Sequence, residues 1–424
     1  MADPLTAEPR PVEAAPARAP SAKPLEILVR QVPGVPVVAL RIWLRGGARA
    51  EARPGESWAA GRLLAEGTRR RDWRRLAEDA EDRGAALGGF GGYEVHGLAI
   101  DALAADWEWA LESAAEMLFE SAFAEDRLAH VRRQGESELA SDWDQPEVRT
   151  SWYFLEQLYS PHPRARQLQG GESSLAALTA AGARTHHASA LARGLLLSVA
   201  GEVDPERVRA RAGALFAGLP AAIGEPPAPP PPAGLPSARL EVASGAIDQA
   251  HLYLGHLTVP RLHPDHAALE LLGVVLGAGA GLTGRIPERV REREGLAYTA
   301  QAATIAAAST DPGRLVVYVG TSPKTVEQAE RAVREELERL LAEGIADAEL
   351  EDARSYLLGR EPFRRETARQ WADLLAEGAY FGLPLEDAAW CERELSSVDR
   401  AAVEAAARRH VRPDQLKVTV GLPG

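Results

Sequence analysis

The chain has 424 residues, 46% of them hydrophobic, and a formal net charge of −13. That length can bury more than one core, so we expect two or more domains. The negative charge argues against a nucleic-acid-binding protein, because no face-sized excess of Lys and Arg is available. The single cysteine, Cys391, excludes internal disulfides and a thiolate zinc site. No apolar run approaches the roughly 18 residues of a membrane span.

The first 24 residues are rich in Ala, Pro and Glu and contain no hydrophobic stretch like that of a signal peptide. We expect a disordered tail at 1–24. Cytoplasm is the expected compartment, or the periplasm if the true N-terminus differs.

The first half of the chain alternates patterns of strand and helix. Apolar periodicity and turn residues predict the following segments. They are strands at 25–30 and 37–44, helices at 57–66 and 73–84, a flexible glycine turn at 88–92 before a strand at 93–100, and long helices at 106–120 and 126–141.

A Pro-rich stretch at 224–236 can join neither a helix nor a sheet and predicts a linker. It separates a domain at 25–223 from a domain at 237–424. The ends of the two halves match at a constant offset of 220 residues, from Leu175 and Leu395 to Gly201 and Gly421. This match indicates an internal duplication. We therefore expect an α+β fold of two homologous halves, each an antiparallel-rich sheet with helices packed on one face.

The most informative segment lies in the second half. A helix is predicted at 282–293, Gly295 suits the left-handed residue after a helix, and a strand follows. Arg291 would lie in the last helical turn and Tyr298 just inside the strand, so both side chains can face one cleft. Taken alone, the pair is more typical of a cation at a helix C-terminus and an ordinary strand tyrosine than of a functional site.

Several short motifs share their order and spacing with one protein family. They are the Gly-rich turn at 276–281, the segment at 291–298, Asp144-Gln145-Pro146, His162-Pro163 and the strand end at 201–205. Together they resemble the insulinase/pitrilysin family of inverted-motif zinc peptidases, which includes the mitochondrial processing peptidase type and bacterial two-subunit relatives. The resemblance covers residues 25–424 and implies half of a clamshell.

Active members of that family carry His-x-x-Glu-His on a helix, where two imidazoles hold zinc and the Glu activates water. The matching positions here run from Trp58 to Arg62, with Gly61 in place of the base. Only Glu138 matches a third ligand. One carboxylate beside a permanent cation will not hold zinc, so we expect no metal in this chain and an ion pair between Arg62 and Glu138.

In the two-subunit relatives, one chain carries the zinc motif and the other carries an Arg/Tyr pair. The resemblance thus implies a non-catalytic subunit, inactive alone, beside a homologous zinc-bearing partner that cleaves peptides or unfolded polypeptides. Arg291 would bind the substrate backbone, and Tyr298 would donate to the oxyanion of the transition state. Zinc is expected in the partner only.

Two other functions stay open. The chain could be a structural scaffold or assembly subunit, like the core proteins of the respiratory complex, or a self-associating peptide-binding protein.

Two local patterns also allow more than one interpretation. His263 and His266, with Glu270 one turn further, are compatible with a metal site but are more typical of a helix start. The glycines from Gly277 to Gly284 resemble a phosphate cradle. We favour a turn that lets a helix approach closely.

Overall fold

The computed structural model describes residues 24–220, 223–224, 226–245, 249–279, 283–305 and 310–423. The tail expected at 1–24 lies outside these residues except for Pro24. The strands are β1 (Leu25–Gln31), β2 (Val37–Arg45), β3 (Ala86–Gly91), β4 (Val95–Leu103), β5 (Leu195–Gly201), β6 (Arg239–Gly245), β7 (Ala250–Leu257), β8 (Ala297–Ile305), β9 (Arg314–Thr321) and β10 (Lys417–Pro423).

The α-helices follow in chain order. They are α1 (Glu56–Leu64), α2 (Trp73–Glu81), α3 (Trp107–Glu120), α4 (Glu125–Trp143), α5 (Pro146–Tyr159), α6 (Glu172–Ala177), α7 (Ala180–Leu191), α8 (Pro205–Leu215), α9 (His266–Gly273), α10 (Arg285–Pro287), α11 (Val326–Glu343), α12 (Asp347–Arg360), α13 (Ala368–Phe381), α14 (Ala388–Ser396) and α15 (Arg400–His410). Two π-helical segments, Val274–Ala278 and Glu288–Arg293, continue α9 and α10.

The chain forms two compact units. The first contains described residues up to 235 together with 360–390, and the second contains 236–359 and 391–423. A division at the Pro-rich stretch assigns 360–390 to the second half, whereas these residues pack with the first unit. The reason lies in α13, which buries small side chains against the first sheet.

Each unit is built on a five-stranded sheet of the same design. The strand order is β1-β5-β2-β4-β3 in the first unit and β6-β10-β7-β9-β8 in the second. In both, the first strand pairs in parallel with the last, and the remaining pairs are antiparallel. The repeated order agrees with the duplication that the sequence indicates, and the α+β fold is confirmed.

Strand alternation places the core of the first unit on one sheet face. Leu40, Ile42 and Leu98 are buried there beneath the helices. The opposite face presents alanines such as Ala39 and Ala200 to α13. The expectation of helices on one face therefore needs this addition, because small residues on the second face let α13 approach the strands closely.

Polar contacts also attach α13 to the first sheet. The Ser198 hydroxyl donates to the carbonyl oxygen of Ala372 at 2.7 Å. Arg41, buried in the sheet, donates from Nε to Asp373 at 2.6 Å. Arg41 also donates to Asp101 on β4 at 3.1 Å, so its guanidinium links α13 to the sheet.

Two predicted elements differ in the structure. The glycine turn expected at 88–92 is mostly strand, because β3 runs to Gly91 and pairs with β4. The helix expected at 282–293 begins at Arg285; Leu282 lies outside the described residues, and Gly284 precedes the helix with φ of 112°. Glycine has a low strand propensity, which hid β3 from sequence reasoning.

Candidate functional site

The segment that carries Arg291 is anchored by apolar residues on its inner side. Ile286 and Val290 are fully buried in the core of the second unit. Gly295 then adopts the left-handed conformation, with φ of 62°, that reverses the chain after a helix. The backbone N–H of Leu296 donates to the carbonyl oxygen of Val290 at 2.9 Å and fixes the turn. The sequence predicted this helix end correctly.

Tyr298 lies at an irregularity in the pairing of β8. Ala297 pairs with Thr321 and Thr299 with Gly320, so Tyr298 is the extra residue of a β-bulge. A bulge turns a side chain away from the regular alternation of a strand. Tyr298 is 85% exposed, the most exposed of the large hydrophobic side chains identified in the described part of the chain.

Arg291 lies next to this phenol. Its guanidinium carbon is 5.7 Å from the centre of the Tyr298 ring, within the range of a cation–π contact. Its Nε is 3.3 Å from Oε1 of the adjacent Glu292. The structure therefore brings the two predicted residues together at the surface of the second unit.

The neighbouring arginines are held differently. Arg289 forms ion pairs with Glu294 and with Glu335, the latter at 2.7 Å, and Arg293 pairs with Glu288 at 2.6 Å. These contacts lie within the helix or link it to α11. Of the three arginines in this segment, Arg291 is therefore the one that lies beside Tyr298.

Glycines also shape the approach to this segment. Gly277 has φ of 143°, and a Cβ there would lie 2.8 Å from Cδ of Pro287. A Cβ at Gly284 would lie 2.5 Å from the Cα of Gly277. The two glycines therefore pack directly against each other, which supports the interpretation of a turn that permits close approach.

The matching position for the zinc motif lies on α1 in the first unit. Arg62 donates from Nη2 to Oε1 of Glu138 on α4 at 2.8 Å, as the sequence predicts. Trp58 is 4% exposed, and the Arg62 guanidinium lies 5.5 Å from its ring centre. A Cβ at Gly135 would meet the Trp58 ring at 2.9 Å, so this glycine makes room for the indole.

Backbone contacts close the rest of that position. A Cβ at Gly61 would overlap the carbonyl oxygen of Phe90, and a Cβ at Gly89 would overlap the carbonyl oxygen of Gly61. Gly91 meets the backbone of Trp58 in the same way. We call these three glycines, Gly61, Gly89 and Gly91, the glycine junction. It presses α1 onto β3 and leaves no space for a carboxylate at position 61.

The histidines of the second unit are arranged differently from the sequence expectation. His266 lies 3.0 Å from Nη1 of Arg261, and burial lowers its pKa to about 3. Its Nδ1 is 3.9 Å from Glu270. Within the described ranges, the three residues whose ligand atoms cluster closely enough for a metal are His263, Asp265 and His410. Sequence reasoning missed His410 because it lies far along the chain.

Comparison with known proteins agrees with this geometry. Residues 192–357 match the family model described as the peptidase M16 inactive domain. A protein named an uncharacterised zinc protease of Mycobacterium leprae is 26% identical over 393 residues, covering 90% of this chain and 85% of the relative. Over most of its length the chain is therefore similar to proteins named as zinc proteases, and its middle part is similar to the inactive domain of M16 peptidases.

Solved structures extend the likeness in fold. A peptidase M16 inactive domain from Pseudomonas fluorescens has a TM-score of 0.84 at 24% identity, covering 94% of this chain and 95% of the other. A chain of complex III from Candida albicans has a TM-score of 0.77 at 14% identity, with 93% of each chain covered. In this chain, the helix at the position expected for a zinc motif carries Trp58 and Arg62 in place of metal ligands.

No helix among the described residues combines the length and the apolar character needed to cross a membrane.

Proposed function

We propose that this chain is the non-catalytic subunit of a two-chain zinc peptidase. The observation that carries the proposal is Tyr298, exposed on a β-bulge beside Arg291. A fold gains little stability from a phenol held in solvent, so its position favours a role toward another molecule.

The chemistry of the pair fits peptide hydrolysis. Zinc held by the partner would supply an activated water, and attack on a peptide carbonyl would place negative charge on its oxygen. The Tyr298 hydroxyl can donate to that oxygen, and the planar Arg291 guanidinium can bind backbone carbonyls of an extended peptide. The partner, a homologous chain bearing His-x-x-Glu-His, supplies the zinc, the water and the base.

The packing around α1 supports a separation of roles in which the zinc site belongs to the partner. Arg62 and Glu138 neutralise each other, and the glycine junction fills the space that a general base requires. Neither Arg62 nor Glu138 can therefore activate water in this chain. The substrate is a peptide or an unfolded polypeptide segment, since the proposed donors recognise backbone atoms.

The test is reconstitution from purified chains. Mixed with the His-x-x-Glu-His chain, this protein should cleave a fluorogenic peptide, whereas each chain alone should not. Arg291→Lys should lower kcat/KM by about tenfold or more, because an ammonium cannot reproduce the bidentate geometry. Arg293→Lys, two residues further on and paired with Glu288, is the matched control and should leave the rate unchanged.

A scaffold role without proteolysis is the second candidate, favoured by the fold it shares with the complex III chain. It predicts a stable complex with the partner that cleaves no peptide under any of these conditions.

A further inference from the structure

A cluster of histidine and aspartate lies in the second unit, away from the Arg/Tyr segment in sequence. His263 and Asp265 belong to the turn before α9, and His410 is the last residue of α15. Their ligand atoms lie within 4.8 Å of one another, and all three residues are half-buried. The cluster joins the start of one helix to the end of another.

The present contacts already orient the three side chains. His410 Nε2 lies 2.6 Å from Oδ2 of Asp265, and Nδ1 of His263 lies 3.9 Å from the same oxygen. The two imidazole rings are 5.3 Å apart at 86°. The backbone N–H of Asp265 donates to Nδ1 of His263 at 3.0 Å, which leaves the proton of a neutral ring on Nε2.

We propose that His263, Asp265 and His410 bind one zinc ion that clips the start of α9 to the end of α15. Two imidazole nitrogens and one carboxylate oxygen form a common ligand set for zinc, with water in the fourth position. The proposal goes beyond the function proposed above, which requires no metal in this chain.

Two of the three donor distances need only small movements to form the site. With ligands about 2.0–2.1 Å from a tetrahedral zinc ion, donor atoms lie roughly 3.3 Å apart. The His410–Asp265 pair must open by about 0.7 Å and the His263–Asp265 pair must close by about 0.6 Å. Zinc would replace two hydrogen bonds, the one between His410 and Asp265 and the one that His263 accepts from the backbone.

Arg409 would act as an outer partner of the site. It donates to Oδ1 of Asp265 at 2.7 Å and to Oδ2 at 2.9 Å. The bond to Oδ1 can persist while Oδ2 binds the metal, as outer hydrogen bonds commonly do for ligating carboxylates. Because the Arg409 guanidinium is positively charged, it also competes with a metal ion for the Asp265 carboxylate and lowers the affinity for zinc.

Two of the ligands, His263 and Asp265, are in the protonation states that metal binding needs. Burial lowers the pKa of His263, which favours a neutral ring at pH 7. Burial alone would raise the pKa of Asp265, but hydrogen bonds from Arg409 and His410 lower it overall, so the carboxylate is ionised.

The experiment titrates tag-free full-length protein with zinc chloride by calorimetry, and follows thermal unfolding with and without zinc. We expect one zinc ion per chain and a higher Tm with zinc, since an ion that binds only the folded state stabilises it. His263→Ala and His410→Ala should each weaken binding by about tenfold or more. His266→Ala is the matched control, from the same turn, and should bind as tightly as the wild type.

Two results would overturn the site. One is equal zinc affinity of the unchanged protein and the double variant His263→Ala with His410→Ala. Absence of measurable zinc binding by both proteins counts as this result. The other is zinc binding that is lost on Glu138→Gln and kept in the histidine variants. Circular dichroism of each variant separates lost ligands from lost folding. Peptidase assays with the partner are independent of both outcomes.

Discussion

The α1 position in the first unit and the Arg291–Tyr298 segment in the second differ in how their polar groups are used. On α1, Arg62 is bound to Glu138, Trp58 is buried, and the glycine junction brings backbone against backbone. On the second segment, Tyr298 stands in solvent with Arg291 beside it. At the first position the charges are paired and the indole is buried, and at the second the phenol is accessible to solvent.

This difference gives a criterion that distinguishes a site without a function from a site that acts on another molecule. A position that no longer works is expected to relax toward good packing and paired charges, because that is stabilising. The α1 position has done so. The bulge at Tyr298 holds a large side chain where it contributes little to the fold, which is the arrangement expected of a group that contacts another molecule.

The largest expected effect is a loss of stability when the glycine junction is changed. Gly89→Ala should destabilise the first unit by about 3 kcal/mol, because its Cβ would overlap the Gly61 carbonyl and force α1 away from β3. Urea denaturation followed by circular dichroism measures this change.

Gly88→Ala provides the control within the same strand. No atom lies within 4 Å of a Cβ at that position, so the change should be below about 1 kcal/mol. Equal effects of the two substitutions would show that α1 and β3 do not touch through this junction. The junction also predicts that restoring His-x-x-Glu-His at Trp58 to Arg62 yields no zinc binding on α1 and no activity.

A pH titration gives the next effect, in the core behind α1. Burial lowers the pKa of His186 and of His187 to about 4 and holds that of His96 well below its usual range. Below about pH 6.5 these imidazoles bind protons in the unfolded chain but stay neutral in the folded chain. Stability should be greatest above that pH and fall toward pH 4, by about 1.4 kcal/mol per pH unit for each imidazole.

His186→Phe sharpens that test. Nε2 of His186 is buried without a hydrogen-bond partner, so an apolar ring of similar size should be tolerated. The variant should lose stability less steeply between pH 6.5 and 4.5 in urea denaturation. An unchanged slope would mean that this imidazole is not kept neutral in the folded chain.

The smallest effect concerns the ion pair at the position that matches the zinc motif. The side chains of Arg62 and Glu138 are 38% and 40% exposed, so solvent screens their attraction. A double-mutant cycle of Arg62→Met and Glu138→Gln should give a coupling energy below about 1 kcal/mol. A coupling of several kcal/mol would show that the pair, rather than the glycine junction, holds this position together.

Local chemistry determines which features the sequence predicted. The turn at Gly295 was predicted because a glycine after a helix is a clear signal of a left-handed residue. The pairing of Arg62 on α1 with Glu138 on α4 was predicted from the family resemblance, which places both residues at positions of zinc ligands. The strand character of β3 was missed because three of its residues are glycines, which a strand rarely contains. The contact with α1 explains two of them, Gly89 and Gly91.

Long-range features left no signal that one sequence can carry. The packing of residues 360–390 on the first unit depends on alanines that lie far apart along the chain. The bulge that exposes Tyr298 depends on its pairing with β9, and His410 joins His263 only through the contact of α15 with α9. Each of these requires the tertiary structure.

The central claim is that the Tyr298 hydroxyl acts on a substrate bound at a partner's zinc. The decisive measurement is kcat/KM of the reconstituted pair with Tyr298→Phe, a change that removes one oxygen from an exposed ring and should leave folding intact. Loss of one oxyanion donor typically costs about 3 kcal/mol, so the rate should fall by roughly a hundredfold or more. A variant that cleaves peptide as fast as the unchanged protein would contradict the account.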